Sequence, residues 1–144
     1  FAKRSLPTTY LKIMSNLGYQ RLELDELLKT SHIVSVHAPL DAKTENLITY
    51  EKIRLMKPNA ILVNTSRGGI IHEGDLAKVC DDELIRGAGV DVFSQEPLPA
   101  DHPYLKVKKP ERLLLTPHIA WTSEESRALL VDRIYENIKT FSQD

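Results

Sequence analysis

The stretch Ala60-Ile61-Leu62-Val63-Asn64-Thr65-Ser66-Arg67-Gly68-Gly69 runs four apolar residues together, then three small polar ones, an arginine and two glycines. An apolar run without alternation reads as a strand covered on both faces, since a half-exposed strand would alternate polar and apolar side chains. Three further runs share the pattern: residues 32–36 (HIVSV), 88–92 (AGVDV) and 113–116 (LLLT), with a weaker fifth over 18–22. Helical patterns fall over residues 9–17, 24–29, 50–56 and 74–84, the last with Leu76, Val79 and Cys80 on one face. The final helix opens on a capping box, Thr122 with Glu125, and carries Leu130, Ile134, Ile138 and Phe141 as one apolar stripe. Alternating strands and helices at this spacing predict a mainly parallel sheet with right-handed crossovers and helices on both faces, a doubly wound α/β fold.

Composition narrows the function classes. The 144 residues suit one domain, and 42% hydrophobic residues are enough for a core. Nineteen basic against 20 acidic side chains leave a net charge of −1, which disfavours nucleic acid or an anionic membrane surface as partner. The apolar runs are too short to span a bilayer. One cysteine, Cys80, excludes an internal disulfide framework and suits a reducing, cytoplasmic setting. The histidines 32, 37, 72 and 102 show no metal-ligand spacing, and Cys80 reads as packing rather than as a nucleophile.

In parallel α/β sheets, ligands bind beyond the carboxyl ends of the strands. Those positions hold Arg67 after the second run, Glu96 after the third and His118 after the fourth, so three chemically capable side chains converge on one sheet edge. A guanidinium there can hold a carboxylate through two parallel hydrogen bonds, although a surface arginine in a tight turn would look the same. A histidine beside a carboxylate is a candidate general acid, with a simple strand-end histidine and a solvated loop glutamate as the plain alternatives. Asp91 sits within an otherwise apolar run, where it accepts from a bound ligand or caps a neighbouring turn.

Four stretches carry a resemblance: residues 37–46 (HAPLDAKTEN), 56–69 (MKPNAILVNTSRGG), 87–97 (GAGVDVFSQEP) and 115–121 (LTPHIAW). In order and spacing the chain resembles the C-terminal part of the NAD-binding domain of a D-isomer-specific 2-hydroxyacid dehydrogenase, a Rossmann-type fold. The resemblance implies that Arg67 binds the substrate carboxylate, that His118 is the acid/base and that Glu96 is its partner. It places Ala38, Pro39, Thr44, Thr65, Ser66, Asp91 and Ala120 at the cofactor, which would be NAD or NADP with NAD favoured. Trp121 is similar to the residue of the glycerate dehydrogenase/hydroxypyruvate reductase group, so a small 2-keto or 2-hydroxy acid is the implied substrate. A non-catalytic nucleotide-binding scaffold of corepressor type is the alternative, disfavoured because a scaffold needs no such set of three.

No Gly-x-Gly-x-x-Gly turn occurs in these residues, and the acidic residue that would hold the adenosine ribose is also missing. The expectation is therefore a single domain over residues 1–144, part of a dinucleotide-binding domain without its glycine turn or a substrate domain. It would carry one flank of the family's sheet plus a detached edge. Its exposed strand edge and apolar surface invite association with further copies, so a homo-oligomer is expected. Without the glycine turn the pyrophosphate lacks its anion site, and the 144-residue chain alone is expected to bind NAD weakly and turn over little. NADH oxidation with hydroxypyruvate, glyoxylate or pyruvate measures this, and robust turnover by the purified chain would contradict it.

Overall fold

The structure is a computed structural model that describes residues 16–142. Four strands, β1 (Ile33–Val36), β2 (Ile61–Asn64), β3 (Gly87–Val90) and β4 (Leu113–Leu115), form one sheet in the order β1-β2-β3-β4. All three pairings are parallel. Their connections contain α2 (Tyr50–Ile53), α3 (Glu73–Asp81) and two 3-10 turns, Pro103–Lys106 and Pro110–Arg112; α1 (Leu24–Thr30) precedes β1 and α4 (Glu124–Phe141) follows β4. The parallel, helix-linked α/β sheet agrees with the reading of the sequence.

Register builds the core. Val34, Leu62, Ala88 and Leu113 lie opposite one another across the four strands, and all four are buried. They join Leu28 of α1, Ile53 of α2 and Leu76, Val79 and Cys80 of α3 in one cluster. Full burial of a Leu or Ile side chain is worth roughly 1.5–3 kcal/mol, so this row is the principal apolar term holding helices to sheet. α3 is started by His72, whose Nδ1 accepts the Asp75 amide at 3.1 Å, with Glu73 and Asp75 favourably placed in its positive first turn. Burial pushes the Cys80 thiol up to about 11, which leaves it protonated and consistent with a packing role.

Several expectations are corrected. β1 alternates exposed and buried residues, with Ile33 65% exposed, and Leu114 of β4 is 69% exposed, so these strands are covered on one face only. The physical reason is that α1, α2 and α3 bury their apolar residues in the cluster on one side, while α4 buries none of its own. Its stripe of Leu130, Ile134, Ile138 and Phe141 is present but exposed. No strand forms over 18–22: Gly18 turns the chain at φ +77°, and no described segment offers that stretch a ladder partner. The detached sheet edge has no counterpart among the described residues, where the four strands are contiguous. The helix expected over 9–17 lies outside the described residues except for its last two positions.

The helical capping reading shifts by one residue. Ser123, not Thr122, caps α4 by accepting the Ser126 amide at 3.2 Å, because the Thr122 hydroxyl donates instead to the Ile119 carbonyl at 2.7 Å. β3 stops at Val90, so Asp91 and Val92 follow the strand rather than lie within it.

Gly68 is where two strand-end loops touch. A Cβ built there would lie 1.9 Å from the Phe93 carbonyl carbon and 2.2 Å from the Ser94 nitrogen. Backbone cannot yield as a side-chain tip can, so Gly68→Ala is expected to destabilise the chain by about 2 kcal/mol or more. Gly89, in β3 with open space around the position a Cβ would take, is the matched control: Gly89→Ala is expected within about 0.5 kcal/mol of the parent. Urea unfolding midpoints of the two variants check the contrast.

Candidate active site

The loop after β2 is shaped by a buried amide. Asn64, 2% exposed, accepts the Ser66 amide on Oδ1 at 3.1 Å and donates from Nδ2 to the Arg67 carbonyl at 2.9 Å. Arg67 is thereby turned outward, and its Nη1 donates to the Ser66 carbonyl at 2.6 Å. The Ser66 hydroxyl donates to the Ala38 carbonyl at 2.5 Å, joining the loops after β1 and β2. Asn64 is not among the sequence candidates, although it too is a polar residue beside an apolar run, at the end of residues 60–63.

After β3 the chain bends back on itself. The Glu96 carboxylate accepts the Phe93 amide on Oε1 at 3.0 Å, while Oε2 lies 2.8 Å from Nδ1 of His118. Hydrogen bonding to His118 and to the Phe93 amide holds the Glu96 carboxyl below the usual carboxylate range. With Nδ1 directed at Glu96, the histidine's Nε2 is left to meet a ligand.

His118 itself sits in the left-handed region at φ +56°, a conformation that a non-glycine residue holds only when its surroundings impose it. Asp91 imposes it. This side chain, 2% exposed, accepts the Thr116 hydroxyl at 2.5 Å and the Ile119 amide at 2.9 Å on Oδ1, and the Ala120 amide at 2.8 Å on Oδ2. Burial alone would raise its pKa, but the bonds from Thr116, Ala120 and Ile119 and the nearby His118 outweigh that and lower it. Of the two readings the residues left open, Asp91 makes the turn contacts; its cavity-facing position keeps the ligand contact geometrically open.

Thr65, Arg67, Asp91, His118, Ala120 and Trp121 line one cavity of about 380 Å³, a size suited to a small ligand or part of a larger one. Trp121 is anchored there by its Nε1 donating to the His118 carbonyl at 3.0 Å. Ala38, Pro39, Ser66 and Thr44 are not on its wall. Thr44 closes its own turn, with its hydroxyl donating to the Pro39 carbonyl at 2.6 Å and accepting the Asp41 amide at 2.8 Å. Among the described residues no helix is long and apolar enough to cross a membrane.

Residues 5–120 match the family described as D-isomer specific 2-hydroxyacid dehydrogenase, NAD binding domain. The chain belongs to that family. It is 42% identical over 127 residues to a glyoxylate reductase of Korarchaeum cryptofilum, covering 88% of this chain and 37% of that protein. It is 39% identical over 120 residues to a glycerate dehydrogenase of Methylorubrum extorquens, covering 83% of this chain and 38% of that one. The D-lactate dehydrogenase of Aquifex aeolicus, solved with NAD and lactic acid, superposes with a TM-score of 0.79 at 26% identity, covering 99% of this chain and 45% of that chain. The chain thus spans less than half the length of these relatives.

The Asp91 contacts generate a test. In Asp91→Asn an NH₂ group replaces one acceptor and faces a backbone amide or hydroxyl donor, so a loss of about 2 kcal/mol is expected at pH 7. Because the folded pKa of Asp91 is depressed, its contribution is present above the unfolded value of about 3.9 and is lost as pH falls through the folded value. Urea unfolding at pH 7, 4 and 3 is expected to show the gap between parent and variant closing below about pH 4.

Proposed function

We propose that these residues form the carboxylate-binding and acid–base part of a site that interconverts a small 2-keto acid and the corresponding 2-hydroxy acid. The observation that carries the reading is one cavity holding Arg67 and His118, with His118 Nδ1 2.8 Å from Glu96. A 2-keto acid has two handles, a carboxylate and an adjacent carbonyl. The Arg67 guanidinium is suited to the first, fixing the acid's orientation as well as its charge. Nε2 of His118 is suited to the second, giving its proton to the carbonyl oxygen as the carbon is reduced. The Glu96 carboxylate, 2.8 Å from Nδ1, fixes which nitrogen faces the substrate. In the oxidative direction His118 takes the hydroxyl proton back.

The chemistry that a bound nicotinamide supplies is the hydride exchanged with the substrate carbon. The cavity fits that end of the cofactor: Asp91 and Thr65 offer polar atoms for a carboxamide, and Ala120 leaves room for a ring. NAD is favoured over NADP, since the family that the chain matches is described by its NAD binding. Hydroxypyruvate and glyoxylate are the favoured keto acids, since the relatives of this chain include proteins named glycerate dehydrogenase and glyoxylate reductase. The exposed apolar stripe of α4 supports assembly with further protein, a second copy among the options.

Assayed by NADH oxidation at the full natural length of the polypeptide, His118→Ala is expected to lower kcat by about 10²- to 10⁴-fold. Arg67→Lys is expected to raise KM for the keto acid by more than about tenfold, because a point charge cannot replace the planar fork. An unchanged kcat in His118→Ala would overturn the reading.

A further inference from the structure

Resting on the reading of Glu96 and His118 as an acid–base pair, we propose that Glu73 and His102 are positioning residues, acting through Ser94 to hold the Glu96 carboxylate in line with His118. Neither lines the cavity or enters the proposed proton transfer, and both are largely enclosed, with side chains 13% and 6% exposed. Their contacts are nonetheless those of a clamp. Glu73 accepts the Ser94 amide on Oε1 at 2.7 Å and the Ser94 hydroxyl on Oε2 at 2.5 Å. The same Oε2 lies 2.9 Å from Nε2 of His102.

The tautomer of His102 follows from its other contact. Nδ1 accepts the Tyr104 amide at 3.2 Å, so the ring proton belongs on Nε2, directed at Glu73. The ring is packed among Phe93 and Tyr104, with centroids 6.3 and 4.9 Å away. Three donors therefore converge on one carboxylate, a demand that a neutral amide cannot meet.

The clamp reaches the acid–base pair over a short path. Ser94 follows Phe93, whose amide is the second hydrogen-bond donor to Glu96. The 93–94 backbone also abuts Gly68, the residue after Arg67. Glu73 and Gly68 thus both contact the segment, and a shift of that segment moves the Phe93 amide away from Oε1 of Glu96. A displacement near 1 Å at a reacting group is enough to cost a large factor in rate.

The test reads Glu96 directly, by NMR titration of its side-chain carboxyl in the folded chain. The variants are Glu73→Gln, Ser94→Ala and, as control, Asp81→Asn, which removes a carboxylate that accepts the Lys108 and Lys109 amides elsewhere. The charged groups facing Glu96 are His118 and Asp91, which all three variants keep. In Glu73→Gln the Glu96 midpoint is expected to rise by about half a pH unit towards the ordinary carboxylate value, less in Ser94→Ala and not at all in Asp81→Asn. A purely structural role would lower the melting temperature and leave that midpoint in place. An unmoved midpoint in folded Glu73→Gln and Ser94→Ala would overturn the proposal, and Ser94→Ala decides alone if Glu73→Gln fails to fold. At full natural length Glu73→Gln is also expected to lower kcat by about tenfold with KM changed less than twofold. A parent inactive with every keto acid would overturn the dehydrogenase reading, while the titration would still decide the clamp.

Discussion

The loop that carries His118 depends on one buried carboxylate. Asp91 is placed just past β3, accepts donors from Thr116, Ile119 and Ala120, and so pins both sides of a histidine whose backbone is in the left-handed region. A buried acid is unfavourable unless its acceptor sites are filled, and here they are filled by the loop of the neighbouring strand. The loop in turn has its Thr116 hydroxyl and its Ile119 and Ala120 amides held by the acid. Each is the condition for the other, which is how a strained φ persists at a strand end.

That mutual dependence separates two carboxylates that lie near the same histidine. Asp91 is enclosed and has donors on both oxygens, so it serves as a fixed anchor. Glu96 is about one-third exposed, has one oxygen on the Phe93 amide and the other on Nδ1 of His118, and is the one whose contact would follow the ring's protonation state. Both are held below the usual carboxylate range, but by different sources: backbone and hydroxyl donors dominate at Asp91, the imidazole at Glu96. The difference between the two carboxylates thus arises from donor geometry and not from residue type.

The strand runs were legible because parallel strands leave near-continuous apolar signatures, and the convergence of Arg67, Glu96 and His118 followed from where such strands end. Other features were hidden. The one-sided cover of β1 and β4 was not visible, since Ile33 and Leu114 are apolar whether or not a helix packs on them. The clamp of Glu73 on Ser94 joins residues 21 apart, and no local pattern marks such a pairing. The glycines after Arg67 mark a tight turn in the sequence, whereas what Gly68 accommodates is the protein's own backbone at Phe93 and Ser94.

That last difference bears on why the site is assembled from three loops. The ends of β2, β3 and β4 carry Arg67, Glu96 and His118, and parallel strands alone fix these only to the level of the ladder. The finer alignment comes from contacts between the loops: Ser66 to the Ala38 carbonyl, Gly68 against Phe93 and Ser94, Glu96 to His118 and Asp91 to the Ile119 and Ala120 amides. Every one joins the ends of adjacent strands, so the sheet order β1-β2-β3-β4 becomes a chain of loop contacts along the same edge. Arg67 and His118 are two strands apart, and the Phe93–Glu96 segment is the link between them. The alignment of Arg67 with His118 then depends on the rigidity of that middle segment, whose own side chains stand outside the cavity wall.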